Sequence, residues 1–146
     1  QPLTVAAMTE TLQPMKGQKI LEIGAGSGYQ AAILAEIVKP GRVITLERKS
    51  RLVEFARSNI EKYGCRNIVV IHDDGANGYP KEAPYDSIIV TASAQEIPEA
   101  LINQLKGHGR MVIPVGDEMI LVEKNKEIKK TFLGYYAFVP LLGGKE

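Results

Sequence analysis

The run Ile20-Leu-Glu-Ile-Gly-Ala-Gly-Ser-Gly-Tyr29 constrains this chain more than any other stretch. An apolar, strand-like segment passes straight into glycines at alternate positions, Gly24, Gly26 and Gly28, and a helical pattern follows. Glycine tolerates positive φ and carries no Cβ, so the chain can turn sharply there and a ligand can approach the backbone. Strand, glycine turn and helix predict the opening unit of a parallel α/β sheet. A dinucleotide fingerprint, G-x-G-x-x-G, needs glycine at position 29, where this chain has Tyr29. The offset points away from NAD and toward a nucleoside ligand without a pyrophosphate. S-adenosylmethionine is the obvious candidate.

Hydrophobic spacing extends the pattern. A helix is expected over 4–14, ended by Pro14 and Gly17, and a strand over 18–24. Ser27 can cap a helix running to Val38 with Ala31, Leu34, Ala35 and Val38 inward. Residues 42–47 read as a second strand, and 50–62 as a helix with Leu52, Phe55, Ala56 and Ile60 inward. A third strand is expected over 67–72, a loop over 73–84 and a fourth strand over 85–91. Pro98 suits the first turn of a short helix ending near Gly107, before a fifth strand over 110–115. Residues 119–123 and 130–139 read as a final antiparallel hairpin around Lys124-Asn-Lys126. The sum is an α/β fold with a mostly parallel seven-stranded sheet, helices on both faces, and an antiparallel end.

The chain has 146 residues, which suits a single domain. Its net charge of +1 leaves no electrostatic footprint for nucleic acid or an anionic membrane. The single cysteine, Cys65, excludes an internal disulfide and a multi-cysteine zinc site, and no metal is expected. A reducing, cytoplasmic setting follows. No apolar run is long enough to span a bilayer, and no signal peptide is read. The chain starts at Gln1 rather than methionine and reads as a fragment.

Ligands of an open parallel sheet sit beyond the carboxyl ends of the strands. Four motifs fall there. The glycine turn is first, with Glu22 two residues before Gly24, able to face a ligand ammonium. The bland alternative is a tight strand–helix turn. Glu47 is second; it lies 23 residues after Gly24, near the offset of a ribose-binding acid. The alternative is a surface acid paired with Arg48 or Lys49. Third is Asp73-Asp74-Gly75, where Asp74 could accept from an adenine amino group; alone it is a common Asp-Gly turn. Fourth is Val90-Thr91-Ala92-Ser93, expected beside a transferable methyl. It is not the Asn-Pro-Pro-Tyr that amine-methylating enzymes place here. Small neutral residues suggest an acceptor that is already a good nucleophile. His72, His108 and Cys65 read as structural, Met8, Met15, Met111 and Met119 as core, and Lys124–Lys130 as a solvated hairpin.

These residues resemble the protein-L-isoaspartate (D-aspartate) O-methyltransferase family. The resemblance is carried by Val5-Ala-Ala-Met-Thr-Glu10, Leu21–Tyr29, Asp74-Gly75 with Gly78, Ala83-Pro-Tyr-Asp86 and Ile89-Val-Thr-Ala92. It continues through Ile97–Leu105, Met111-Val-Ile-Pro-Val-Gly116 and Phe138-Val-Pro-Leu141, so it spans essentially the whole chain. It implies a Rossmann-like class I S-adenosylmethionine-dependent methyltransferase fold over 1–146. By motif it sets Glu22, Gly24, Gly26 and Gly28 against the methionine part of the cofactor, with Ser27, Tyr29 and Arg48 as further cofactor-binding residues. Glu47 would hold the ribose, Asp74 and Gly75 the adenine, and Thr91 would lie near the methyl and the substrate. Asp73 stands where the family usually has glycine, and Leu142 where some members have threonine. The family's active-site serine, in a Thr-Ile-Ser or Thr-Val-Ser motif, would stand just before Gln1.

The implied reaction is methyl transfer to the free α-carboxylate of an L-isoaspartyl residue in damaged proteins, a repair step. A carboxylate with a pKa near ~3.5 is ionised at pH 7, so the absence of a credible general base is no objection. Isoaspartyl peptides are the expected partners, with no nucleic acid or membrane, and a monomer is expected. The chain as given is expected to bind the cofactor and transfer methyl poorly. Two alternatives stay open: a methyltransferase acting on RNA or a small molecule, and a non-catalytic nucleotide-binding module.

Overall fold

A computed structural model describes residues 1–146. Seven strands form one sheet in the order β3-β2-β1-β4-β5-β6-β7. Strands β1 (Lys19–Ile23), β2 (Arg42–Glu47), β3 (Ile68–His72) and β4 (Tyr85–Val90) pair in parallel. Strand β5 (Leu105–Val115) continues the parallel set, and β6 (Glu118–Lys124) and β7 (Ile128–Tyr135) add the antiparallel end. The expected seven-stranded mixed sheet is therefore present.

Side chains alternate across a strand, so each parallel strand feeds two cores. Ile20, Val43 and Ile89 pack under α1 (Pro2–Leu12) and α2 (Tyr29–Val38), with Met8, Leu12, Leu34 and Val38. Leu21, Ile44, Ile88 and Met111 pack on the other face, with Leu101 of α4 (Glu99–Asn103). The strands read as unbroken apolar runs because both of their faces are covered. Helix α3 (Ser50–Tyr63) closes the β3 side and stops at Gly64, whose φ of 72° gives the left-handed cap.

Several boundaries differ from the sequence reading. Helix α1 ends at Leu12, capped by Gln13 at φ 53°, two residues before Pro14 acts. In α3 the inward residues are Val53, Ala56 and Ile60, whereas Phe55 is half exposed. A helix of that length buries only one stripe against a sheet, and the smaller β-branched side chain lies on it. Strand β5 starts at Leu105, five residues earlier than expected, because it runs through Gly107-His108-Gly109 instead of breaking there. His108 takes φ 64° and the β4–β5 register shifts between Tyr85 and Ser87, which absorbs the two glycines as an irregularity. Met15 is 63% exposed, not core. Strand β7 ends at Tyr135, and the residues after it leave the sheet edge. No helix is long and apolar enough to cross a membrane.

Candidate functional site

The sheet order reverses direction between β1 and β4, and the carboxyl ends of those strands open a crevice. Two adjoining cavities occupy it. The larger, about 430 Å³, lies among Gly24, Glu47, Gly75, Thr91 and Leu141. The second, about 350 Å³, reaches α1 and touches Val5, Met8, Glu22 and Gln30. They share Gly24, Gly26, Thr91 and Val139. Both sizes suit a small-molecule ligand.

The glycine turn is the wall between them. The Gly24 and Ala25 N–H groups donate to the Leu46 carbonyl at 2.9 and 3.1 Å. The Gly26 N–H donates to Glu47 Oε2 at 3.1 Å. All three glycines have positive φ, at 99°, 52° and 84°. A Cβ on Gly24 would overlap the Thr91 hydroxyl, whereas one on Gly26 would meet nothing within 4 Å. Helix α2 takes Gly28, not Ser27, as its N-cap, because Gly28 holds the left-handed turn. Ser27 Oγ still accepts the Tyr29 N–H at 3.3 Å, so the hydroxyl does part of what a cap does. Ser27 and Tyr29 both border the smaller cavity.

Two acids flank the turn. Glu47, nearly buried at the end of β2, is not paired with Arg48 or Lys49 side chains. Its oxygens accept backbone N–H bonds from Gly26 and Lys49, each at 3.1 Å, which fixes the carboxylate toward the larger cavity. Glu22 is wholly buried. Thr45 donates its hydroxyl to Glu22 Oε1 at 2.6 Å, but Oε2 has no partner. Burial pushes this carboxyl up to about 8, assisted by the charge of Glu47 and only partly opposed by the Thr45 bond.

Asp74 is placed differently from Glu47. It lies outside the two cavities, although Gly75 lines the larger one. Asp74 Oδ1 accepts from Ala76 at 2.9 Å and Oδ2 from Gly144 at 2.8 Å. The Gly144 and Ala76 donors hold its carboxyl below the usual carboxylate range. Thr91 Oγ1 is 3.0 Å from the Ile23 carbonyl and 2.8 Å from that of Gly24, tying β4 to the turn.

The sequence reading missed the C-terminal segment as part of this site. Residues 139–142 roof the larger cavity, held by Leu141 N–H to Ser93 O at 2.6 Å and Ser93 N–H to Val139 O at 2.7 Å. Arg48, a cofactor candidate, borders the larger cavity and turns its guanidinium to this segment. It donates to the Gly144 and Gly143 carbonyls at 3.0 and 3.3 Å and pairs with Glu146 at 3.0 Å. His72 Nε2 lies 2.9 Å from Arg48 O and 3.1 Å from Glu146 O, so this histidine anchors the segment. Gln30 and Thr9 were missed too. Gln30 sits one position past the motif, and a buried polar residue on an apolar helix stripe was the available signal.

Sheet order, glycine turn and strand-end acids define the class I S-adenosylmethionine-dependent methyltransferase fold, shared with solved S-adenosylmethionine-dependent enzymes at TM-scores of 0.65 and 0.66. The family model of protein-L-isoaspartate (D-aspartate) O-methyltransferase matches residues 1–146, and the chain belongs to that family. It is 56% identical over 97% of its length to the protein-L-isoaspartate O-methyltransferase of Methanopyrus kandleri, of which it covers 66%. It is 51% identical to protein-L-isoaspartate O-methyltransferase 2 of Archaeoglobus fulgidus, covering 68% of that protein. A solved protein-L-isoaspartate O-methyltransferase superposes with a TM-score of 0.91 at 32% identity, covering 98% of this chain and 48% of that one. A Plasmodium falciparum structure in complex with S-adenosyl-L-homocysteine superposes with a TM-score of 0.79 at 30% identity, over 96% of this chain and 72% of that one. The chain thus spans about two thirds of the length of these curated relatives.

Proposed function

We propose that this chain binds S-adenosylmethionine at the β1–β4 crevice and serves methyl transfer to the free α-carboxylate of L-isoaspartyl residues in damaged proteins. The observation that carries the reading is the family match across all 146 residues. The residues present fit the cofactor. An unpartnered buried acid faces the methionine side, and the space above Gly26 is open where a side chain would otherwise stand.

Glu47 would accept from the ribose hydroxyls, since each of its oxygens has lone-pair capacity beyond its one N–H bond. Asp74 and Gly75 would border the adenine. Asp74 Oδ2 already holds Gly144, so it supports that reading through its second lone pair or by releasing the segment. Gly24, Gly28, Ser27 and Tyr29 would follow the methionine chain, and Thr91 would stand near the methyl. Arg48 would border the ligand from the larger cavity while its guanidinium holds the C-terminal segment. When bound, S-adenosylmethionine supplies an electrophilic methyl on a sulfonium centre. The acceptor carboxylate is ionised at neutral pH, so the chain need only hold it in line and exclude water. Residues 139–142 contribute that exclusion from above.

The test is methyl transfer from labelled S-adenosylmethionine to an isoaspartyl peptide and its aspartyl twin. Labelling of the isoaspartyl peptide alone is expected, and equal labelling of both would overturn the assignment. Titration calorimetry addresses the pocket. Glu47→Ala removes two charge-assisted acceptor positions worth about 1.5–3 kcal/mol each, so affinity for S-adenosylmethionine should fall about 100-fold or more. Glu47→Gln, which keeps one acceptor oxygen, should lose about 10-fold. Unchanged affinity in Glu47→Ala would remove Glu47 from the ribose role.

A further inference from the structure

Two residues that border the smaller cavity, Glu22 and Gln30, each carry a buried oxygen with no partner, Oε2 and Oε1 respectively. The two residues come from different elements, β1 and the first turn of α2, and share the cavity because Glu22 lies on the face of β1 that α2 covers. Gln30 is 5% exposed and Glu22 fully buried. An unsatisfied buried polar atom costs about 1–3 kcal/mol, so two at one cavity need an explanation.

The orientation of the Gln30 amide follows from its neighbour. Thr9 Oγ1 lies 2.7 Å from the Val5 carbonyl, an acceptor that takes the hydroxyl's only proton. Toward Gln30, 2.7 Å away, Thr9 can therefore only accept. Gln30 must present its nitrogen to Thr9, which leaves its oxygen as the free end. The Gln30 oxygen is thus a hydrogen-bond acceptor, and Glu22 Oε2 becomes one, with a negative charge, when the acid gives up its proton.

We propose that Gln30 binds the α-ammonium of the cofactor's methionine moiety together with Glu22, with Thr9 as the residue that positions the Gln30 amide. This rests on the cofactor reading above and adds a binding residue and a positioning residue to it. A primary ammonium carries three donors and no acceptor, which complements an amide oxygen and an ionised carboxylate on two residues of one cavity. A carboxylate or phosphate would be repelled by the same pair. Glu22 supplies charge, Gln30 supplies direction, and Thr9 prevents the amide flip that would turn a donor toward the cation.

The experiment compares S-adenosylhomocysteine with its deaminated analogue, identical but for hydrogen in place of the amino group, by titration calorimetry. The unmodified chain should favour the aminated ligand about 100-fold. Gln30→Met, similar in volume but without the acceptor, should cut that preference about 10-fold while leaving affinity for the deaminated analogue nearly unchanged. Thr9→Val should cut the preference less, several-fold, because the amide is then free to flip. A ratio of two affinities in one variant is insensitive to a general loss of stability. If Gln30→Met keeps the full preference while both ligands still bind, the inference is overturned and the cofactor reading stands. If neither ligand binds the unmodified chain, both fall.

Discussion

Glu22→Gln is expected to stabilise the ligand-free protein above neutral pH while weakening its hold on S-adenosylmethionine. The carboxyl lies wholly buried, with Thr45 as its one donor and Glu47 adding like charge from the neighbouring strand. Its folded value of about 8 stands above the ordinary 4.5. The folded state therefore binds this proton more tightly than the unfolded chain does. The associated stability is fully present below about pH 4.5 and is lost as pH rises through about 8. Each pH unit across that window costs about 1.4 kcal/mol, so the ionised acid costs on the order of several kcal/mol. Glutamine reproduces the protonated acid, keeps an acceptor for Thr45 and never ionises. Melting curves from pH 5 to 9 should show the variant gaining on the parent as pH rises, by roughly 5 °C or more at pH 8, then levelling off. Affinity for S-adenosylmethionine should fall about 10-fold or more, because the ammonium loses its counter-charge. In the parent, affinity should rise with pH toward about 8, as less proton has to be displaced. A gap in melting temperature that does not change with pH would show that the carboxyl is not held neutral by the fold.

On the proposed cofactor role, that trade accounts for an acid at a position where packing alone would choose an apolar side chain. The sequence made Glu22 a candidate because it precedes the glycine turn, and it made Glu47 one by its offset from Gly24. Both residues border the cavities, a placement legible in sequence because strand and turn geometry are local: β2 spans the expected residues 42–47, bounded by Gly41 and by the change of direction after Glu47. Local pattern fails where the outcome depends on distant partners. Gly107 and Gly109 read as a break, yet pairing with β4 and β6 carries β5 through them. Phe55 fits the inward helical spacing, but the stripe that α3 buries carries Val53 in its place. Residues 139–146 have no periodicity that could reveal their path. Their contacts with Ser93, Arg48, His72 and Asp74 link strand ends up to 98 residues away, from Glu146 to Arg48. Gln30 escaped because a glycine motif directs attention to backbone, whereas its role depends on Thr9 from another helix.

Gly24 and Gly26 stand two residues apart in one turn, and they should fail in opposite ways. At Gly24, φ is 99° and a Cβ would run into the Thr91 hydroxyl, which is held by the Ile23 and Gly24 carbonyls and cannot swing aside freely. Left-handed strain of about 1–3 kcal/mol then adds to an overlap of about 1–3 kcal/mol. Gly24→Ala should cost the fold about 3 kcal/mol or more, read by urea denaturation. Adding Thr91→Ala removes the clashing oxygen and leaves the Thr91 Cβ at 3.8 Å, an ordinary contact. The double variant should therefore recover part of the loss but not the backbone strain. At Gly26, φ is 52° and the Cβ would meet nothing within 4 Å, so Gly26→Ala should cost the fold only about 1 kcal/mol. Its methyl would instead enter the space that both cavities share, and affinity for S-adenosylmethionine should drop about 10-fold or more. A Gly24→Ala chain as stable as the parent would refute the packing described for the turn. A Gly26→Ala chain that binds the cofactor normally would show that the ligand does not pass over this glycine. The two glycines then separate what the turn needs in order to fold from what it needs in order to bind.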